Sequence, residues 1–222
     1  MSNQSPSSAT HVCVVLDMSG SMQSVYEDAI GAVNGYLTRA KQDRDLYEAH
    51  FSLVVFNSHA VETLRKDQVL ETVKPLAHEE YRCDGMTPLF DAVGRGVGIL
   101  DEALAGKQGK AILVVMTDGL ENASREFSYD RIQALIKTRQ DAGWLVTFLG
   151  QGLDVAKQGA ALGMMAAHVA HYSGARGMRA AGRVAARATA RYVSSAGDNW
   201  EAQEEAAFTP EERDELAGND EK

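Results

Sequence analysis

The sequence lacks the features that mark membrane-spanning and secreted proteins. No stretch approaches the roughly 18 consecutive apolar residues that a transmembrane helix requires, although 45% of the 222 residues are hydrophobic. Residues 1–9 are polar and Ser-rich, and they have neither the basic nor the apolar region of a secretory signal. We therefore expect a cytoplasmic protein with no membrane segment and a disordered N-terminal tail over residues 1–9.

Cysteine is scarce, since the chain contains only Cys13 and Cys83. Without an export signal, two thiols do not indicate a disulfide framework, and we expect both to be reduced. There is no Cys-x-x-Cys pair, and the six histidines show no ligand spacing such as His-x-x-x-His. The sequence therefore gives no indication of a thiolate zinc site.

Motifs of common enzymes are also absent. There is no Gly-x-x-x-x-Gly-Lys-Ser/Thr loop for nucleotide phosphates, and the glycines of residues 94–98 fall inside a predicted helix rather than after a strand. No Gly-x-Ser-x-Gly elbow supports serine hydrolysis. We therefore predict no catalytic residues and no residues that bind an organic cofactor.

The net charge of −9 is concentrated at the C-terminus. Residues 198–222 contain ten acidic and two basic residues, whereas residues 1–197 contain 21 acidic and 20 basic ones. A nearly neutral body offers little long-range attraction for nucleic acid or anionic lipid. Sparse apolar residues in an acidic run favour disorder, so we expect residues 197–222 to form a flexible acidic tail.

Apolar strand patterns alternate with helical patterns along residues 10–196, which we take as one domain. This alternation predicts an α/β fold with a mostly parallel sheet, helices on both faces and one antiparallel edge strand. Ligands of such sheets bind beyond the carboxyl ends of the strands. The predicted strands cover residues 11–16, 49–56, 60–64, 111–116, 144–149 and 166–170, and the predicted helices cover residues 24–42, 88–104, 129–140, 154–162 and 177–194.

Oxygen-bearing side chains follow three of these predicted elements. Asp17, Ser19 and Ser21 leave the first strand, Asp118 leaves the strand over residues 111–116, and Thr87 heads a helix, where we also expect it to be the N-cap. Loops that converge at the carboxyl edge of a sheet and offer only oxygen ligands are typical of a site for a hard divalent cation. We predict that these five residues bind a metal ion.

Four neighbouring polar residues have a simpler interpretation. Asp84 and Asp91 flank Thr87, and we interpret them as solvated turn or helix-surface charges rather than ligands. Glu121 and Asn122 follow the third loop, where turn chemistry is the expected role and metal contact the alternative.

The set Asp17-Met18-Ser19-Gly20-Ser21, Thr87 and Thr117-Asp118-Gly119 resembles the metal-ion-dependent adhesion site (MIDAS) of the von Willebrand factor A (vWA) domain family. The resemblance spans about residues 10–170. It implies a Rossmann-like domain with Mg²⁺, or alternatively Mn²⁺ or Ca²⁺, on the C-terminal face of the sheet. It also implies a protein ligand that supplies a Glu or Asp to the metal. Residues 118–124 and 148–151 resemble intracellular bacterial members of the family more than extracellular adhesins.

Two functions follow as hypotheses. The first is an adaptor or regulatory module that binds a partner protein through Mg²⁺ and does not act as an enzyme. The alternative is a Mg²⁺-dependent phosphatase of the haloacid-dehalogenase type. That mechanism needs a general acid where Ser19 stands, and a lysine at the phosphate, whereas Lys110 precedes its strand at the other end of the sheet.

The last predicted helix carries an arginine stripe, whose members are spaced three or four residues apart and share one face. A solvated basic face is one interpretation, and a surface for acidic protein, either the chain's own tail or a partner, is another. Nucleic acid is the least favoured, because aromatic residues do not interleave the arginines. We also consider that a carboxylate of the chain's own or a neighbouring tail completes the metal site. The stripe consists of Arg176, Arg179, Arg183, Arg187 and Arg191.

Overall fold

The computed structural model describes residues 9–152 and 154–219. It contains a six-stranded sheet in the order β3-β2-β1-β4-β5-β6, in which only the β2–β3 pair is antiparallel. The predicted α/β class and antiparallel edge strand are therefore confirmed. The strands are β1 (Ala9–Asp17), β2 (His50–Phe56), β3 (Val61–Val69), β4 (Gly109–Thr117), β5 (Leu145–Gln151) and β6 (Val169–Tyr172); the helices are α1 (Tyr26–Lys41), α2 (Leu89–Leu104), α3 (Tyr129–Asp141), α4 (Val155–Ala161), α5 (Gly174–Ser194), α6 (Asn199–Glu205) and α7 (Pro210–Leu216).

The central strands separate two hydrophobic cores, because alternate side chains of a strand point to opposite faces. On β1, Val12 and Val14 face the core that contains α1 and α5, whereas Cys13 and Val15 face the core that contains α2, α3 and α4. β4 divides its side chains between the same two cores. Burial on both faces explains why these strands are continuous apolar runs. Their parallel pairing places their carboxyl ends along one edge of the sheet.

Two small residues allow helices to approach closely. A Cβ at Gly96 in α2 would lie 2.8 Å from a methyl of Val15, so this helix packs directly on the sheet. A Cβ at Gly182 in α5 would overlap the carbonyl oxygen of Ala32 in α1, at 1.7 Å. None of the helices in residues 9–152 and 154–219 combines the length and apolarity needed to cross a bilayer.

The last strand differs from its sequence prediction. Residues 166–168 form a 3-10 turn, and β6 begins only at Val169. Its register is set by pairing with β5, where Phe148 lies opposite Val169 and Gln151 opposite Tyr172. An edge strand of only four residues has little sequence pattern of its own, so its limits depend on the neighbouring strand.

The acidic C-terminal segment also differs from its expectation. Instead of a flexible tail, residues 199–216 contain α6 and α7, and each helix begins with a capping box, at Asp198 and at Thr209. Phe208 and Leu216 are buried in the core beside α5. The composition of this segment predicted disorder, because composition contains no information on helix caps or on the residues against which a helix packs. The tails at residues 1–8 and 220–222 lie outside the described residues.

The carboxylates of α7 form ion pairs with three of the five arginines of the stripe. Glu212 accepts hydrogen bonds from Arg187 at 3.1 Å and Arg191 at 2.8 Å, and Glu215 pairs with Arg183 at 3.0 Å and with Arg187. Burial raises the pKa of Glu212, but hydrogen bonds from Arg191, the Thr209 amide and Arg187 outweigh it and lower the pKa overall. Of the interpretations considered, the chain's own acidic segment occupies this part of the stripe.

Candidate metal site

Asp17 ends β1 at the carboxyl edge of the sheet, and its carboxylate is held on both oxygens. The Ser19 amide donates to Oδ1 at 2.7 Å, and the Thr117 hydroxyl donates to Oδ2 at 2.5 Å. The side chain is fully buried. Thr117 thus links the ends of β1 and β4, and it was not singled out as a functional residue from the sequence, although it directly precedes Asp118.

The two serines connect the first loop to the third. Ser19 Oγ lies 3.2 Å from Ser21 Oγ, and Ser21 Oγ donates to Asp118 Oδ1 at 2.6 Å. Ser19 has extended backbone angles, and a 3-10 helix begins directly after it at Gly20. This turn brings the second hydroxyl back toward the sheet, so three of the predicted ligands lie in one hydrogen-bonded row.

The loop that carries Thr87 is fixed to both other loops. The Gly20 amide donates to the Gly85 carbonyl at 3.0 Å, and the Thr87 amide donates to Asn122 Oδ1 at 2.8 Å. A Cβ at Gly119 would lie 2.9 Å from Thr87 Oγ1 and 3.6 Å from Asp17 Oδ2. The structure thus brings Thr87 to the same point as Asp17 and Asp118, where only a glycine fits between them.

Thr87 is not the helix N-cap that the sequence predicts. α2 begins at Leu89, and Pro88 occupies the capping position, where its side chain can accept no hydrogen bond from the first turn. Glu121 of the third loop instead accepts a hydrogen bond from the amide of Phe90 at 2.9 Å. The Thr87 hydroxyl is therefore not committed to the helix and remains at the candidate site.

Acidic and amide residues around the site hold its loops. Glu121 Oε1 accepts hydrogen bonds from the amides of Ala123 and Ser124, which is the turn role expected for it. Asp91 differs from its expectation as a solvated charge, because its carboxylate accepts hydrogen bonds from the amides of residues 125–127. The third loop is thereby fastened to α2.

The electrostatics of the two central carboxylates are unusual. Burial raises the pKa of Asp17 to about 6, against hydrogen bonds that lower it, and repulsion from Asp118 raises it further. Burial also raises the pKa of Asp118, more than the Ser21 hydrogen bond lowers it. Within residues 9–152 and 154–219 no lysine, arginine or histidine pairs with either group. One buried and one half-buried carboxylate without a cationic side chain, surrounded by hydroxyls, fit a divalent metal ion.

A second group of candidate ligands lies far from these loops. His11, His50 and Asp67 offer one ligand atom each, and these atoms lie within 4.8 Å of one another. His11 is six residues before Asp17 on the same strand, so the two sites are about 20 Å apart. Sequence spacing missed this group, because its members come from three separate strands.

Several solved structures have a fold similar to that of this chain. The pilus adhesin SpaC from Lactobacillus rhamnosus GG is similar with a TM-score of 0.69 and 15% identity, over 85% of this chain and 31% of the adhesin. Proximal thread matrix protein 1 from the mussel byssus is similar with a TM-score of 0.53 and 13% identity, over 81% of this chain and 47% of that protein. The manganese-loaded TRAP protein of Plasmodium vivax is similar with a TM-score of 0.51 and 16% identity, over 72% of this chain and 64% of that protein.

The fold is von Willebrand factor A-like. At these identities the likeness concerns the fold alone, and the chain spans about a third of the length of the adhesin. A scan against protein-family models and a search of the curated proteins gave no match. The expected architecture is thus confirmed, while the metal, the ligand residues and the partner stay predictions.

Proposed function

We propose that this vWA-like chain is a protein-interaction module rather than an enzyme. In this proposal Asp17, Ser19, Ser21, Thr87 and Asp118 hold Mg²⁺, and a Glu or Asp of a partner protein completes its coordination. The observation that carries the proposal is the convergence of three loops, which places the buried carboxylate of Asp17, the half-buried carboxylate of Asp118 and three hydroxyls around one point. The expected cytoplasmic location belongs to the same proposal.

The donor set favours a hard ion and an external acidic ligand. Carboxylate and hydroxyl oxygens suit Mg²⁺, Mn²⁺ and Ca²⁺ rather than softer metals. Two carboxylates neutralise the ion's charge, but the neutral hydroxyls donate weakly, so the bound ion stays electrophilic. When bound, it would act as a Lewis acid toward an incoming oxygen. The protein's own groups would fix the position of that ion, because the amide of Ser19 and the hydroxyl of Thr117 hold the Asp17 carboxylate in place.

The surroundings of the site suit a protein partner. Met86 and Leu120 lie on the second and third loops and are 50% and 56% exposed. Large exposed apolar side chains beside a charged site are common in protein interfaces. We therefore infer that the partner presents its acidic residue next to apolar side chains, which would cover Met86 and Leu120.

The phosphatase alternative receives no support from these contacts. Lys110 donates to the carbonyl oxygens of Tyr192 and Val193, at 2.8 and 3.0 Å, at the opposite end of its strand from Asp118. Ser19 occupies the position at which that mechanism needs a general acid. A phosphoryl group would therefore find neither the lysine nor the acid that its transfer requires.

The chain's own tail is a weaker candidate for the acidic ligand. Glu212 and Glu215 are engaged with arginines of α5, so they are not available to the metal. Asp220 and Glu221 lie outside the described residues. We therefore favour a separate protein as the source of the carboxylate.

The proposal is tested first by metal binding. Mn²⁺ titration followed by electron paramagnetic resonance should show one site per chain, and Asp17→Ala should weaken it by at least about 100-fold, since a directly bonded charge is lost. Asp84→Asn is the matched control, because Asp84 lies in the neighbouring loop with its side chain 78% exposed. Equal Mn²⁺ affinity in wild type and Asp17→Ala would refute the site.

Partner chemistry is tested on an array of peptides that differ only by Glu or Gln at the central position. Binding of the Glu peptides should require Mg²⁺, should be abolished by EDTA and should be absent from Asp17→Ala. Hydrolysis of p-nitrophenyl phosphate by wild type, but not by Asp17→Ala, would instead support the phosphatase alternative.

A further inference from the structure

We propose that His11, His50 and Asp67 form a second metal site, specific for a zinc-like transition metal, at the amino-terminal edge of the sheet. This site differs in position and in ligand chemistry from the oxygen-lined loops that contain Asp17. It does not depend on the function proposed for those loops. Its ligands come from β1, β2 and β3, so a bound ion would link three adjacent strands.

The pairing of the strands creates the histidine pair. His11 and His50 are direct neighbours in the parallel register of β1 and β2, so their side chains leave the same face of the sheet. Their ring centroids are 5.0 Å apart. Two imidazoles at this separation can turn one nitrogen each toward a shared ion.

An irregularity in β3 delivers the carboxylate. The pairing of β2 and β3 shifts register between Phe51 and Leu53, and Asp67 lies on the bulged strand opposite this point. Asp67 has a φ of +49°, in the left-handed region that few residues other than glycine adopt. Its amide donates to Ser52 Oγ at 2.9 Å. A bulge redirects a side chain, and a strained residue held in place by a neighbour indicates a functional constraint.

The distances already approach those of a metal site. Asp67 Oδ1 lies 2.7 Å from His11 Nδ1 and 3.4 Å from His50 Nδ1. Ligand atoms around a tetrahedral zinc ion are separated by about 3.3 Å, so the two observed separations lie on either side of that value. His50 Nδ1 is also 3.0 Å from the carbonyl oxygen of Asp67. Binding an ion at His50 Nδ1 would replace that contact, and the neutral ring would then carry its proton on Nε2.

His11 uses one ring nitrogen, Nδ1, toward Asp67 and leaves the other without a partner among residues 9–152 and 154–219. The side chain is 4% exposed, and within the described part of the chain its Nε2 has no hydrogen-bond partner. A buried polar atom without a partner is unfavourable in a strand, where an aliphatic residue would pack without that cost. The ring is useful for its other nitrogen, which faces Asp67.

The donors select the metal. Imidazole nitrogen favours Zn²⁺, Co²⁺ and Ni²⁺ over Mg²⁺ and Ca²⁺, which prefer oxygen. Asp67 and His50 are 36% and 31% exposed at their side chains, so an ion can enter from solvent and keep a water as its remaining ligand. We infer that bound Zn²⁺ stabilises the attachment of the antiparallel edge strand, because it binds only the folded arrangement.

The experiment uses the full chain without an affinity tag, stripped of metal, in the Asp17→Ala background to exclude the loop site. A Zn²⁺ titration against a chromophoric chelator should show one site per chain. His50→Gln and Asp67→Asn should each lower the Zn²⁺ affinity by at least about tenfold, whereas His171→Gln, an exposed histidine of β6, should not. Co²⁺ should give visible d–d absorption that His50→Gln removes, and excess Mg²⁺ should not compete.

Three results would overturn the proposal. These are Zn²⁺ affinity that is unchanged in His50→Gln, affinity that falls equally in His171→Gln, and displacement of Zn²⁺ by Mg²⁺ at similar concentration. Because His50 and Asp67 are partly exposed, their variants are expected to fold, and circular dichroism checks this. Zn²⁺ should raise the melting temperature of the Asp17→Ala protein and leave that of its His50→Gln derivative unchanged.

Discussion

The two ends of the sheet carry side-chain clusters of different chemistry, and β1 contributes to both. At the carboxyl end, loops after β1 and β4 and before α2 supply only oxygen atoms, and the carboxylates there are buried at Asp17 and half-buried at Asp118. At the amino end, neighbouring strands supply two imidazoles and one half-exposed carboxylate directly from the ladder. Loops can gather hydroxyls and carboxylates around a small hard ion, whereas adjacent strands space large side chains for a softer one.

The largest effect expected at the carboxyl end concerns stability without metal. Asp17→Asn should stabilise the metal-free protein at pH 7 by about 3 kcal/mol, because it removes a buried charge whose pKa is raised to about 6. Urea denaturation in EDTA measures this difference. Mg²⁺ should reverse the order, since it stabilises only the wild type.

The pH dependence gives the sign of the same effect. Because the folded pKa of Asp17 lies above its unfolded value, protonation favours the folded state. In the absence of metal, the free energy of unfolding of wild type should therefore fall only slightly below that of Asp17→Asn at pH values under about 4, and the difference should grow as the pH rises toward 6. A metal-free wild type more stable than Asp17→Asn at pH 7 would show that the carboxylate is structural.

A smaller effect is expected from the hydroxyl that orients Asp17. Thr117→Val removes the donor to Asp17 Oδ2, and it should lower the affinity for Mg²⁺ by about tenfold, as loss of a ligand's hydrogen-bond partner does. Isothermal titration calorimetry measures this change. Thr147→Val, at another buried threonine, is the control and should leave Mg²⁺ binding intact. Zn²⁺ binding should be unchanged in both variants.

The smallest effect is expected at the amino end. Ser52→Ala removes the acceptor of the Asp67 amide, and it should lower Zn²⁺ affinity by less than about tenfold, because it loosens a ligand's backbone without removing the ligand. Chelator competition measures it, with Mg²⁺ affinity expected to stay constant. If Mg²⁺ binding fell as well, the two ends would not be independent, and the contrast between them would fail.

The order of strands and helices could be predicted from the sequence for residues 10–170, since buried strands produce continuous apolar runs. Boundaries were less predictable where tertiary contacts set them. β6 starts at Val169 because it pairs with β5, and α2 starts at Leu89 because Glu121 binds its first turn. The acidic segment forms helices because buried apolar residues and the arginines of α5 receive it.

The sequence by itself determined the local part of the carboxyl-end site, since Asp17, Ser19 and Ser21 lie within one turn after a buried strand. Only the tertiary structure decided that Ser21 meets Asp118 across 97 residues and that His11 meets Asp67 across 56. Contacts inside a turn follow from neighbouring backbone angles. Contacts between strands depend on register and on a bulge, which arise from packing of the whole sheet and leave no periodic pattern in the sequence.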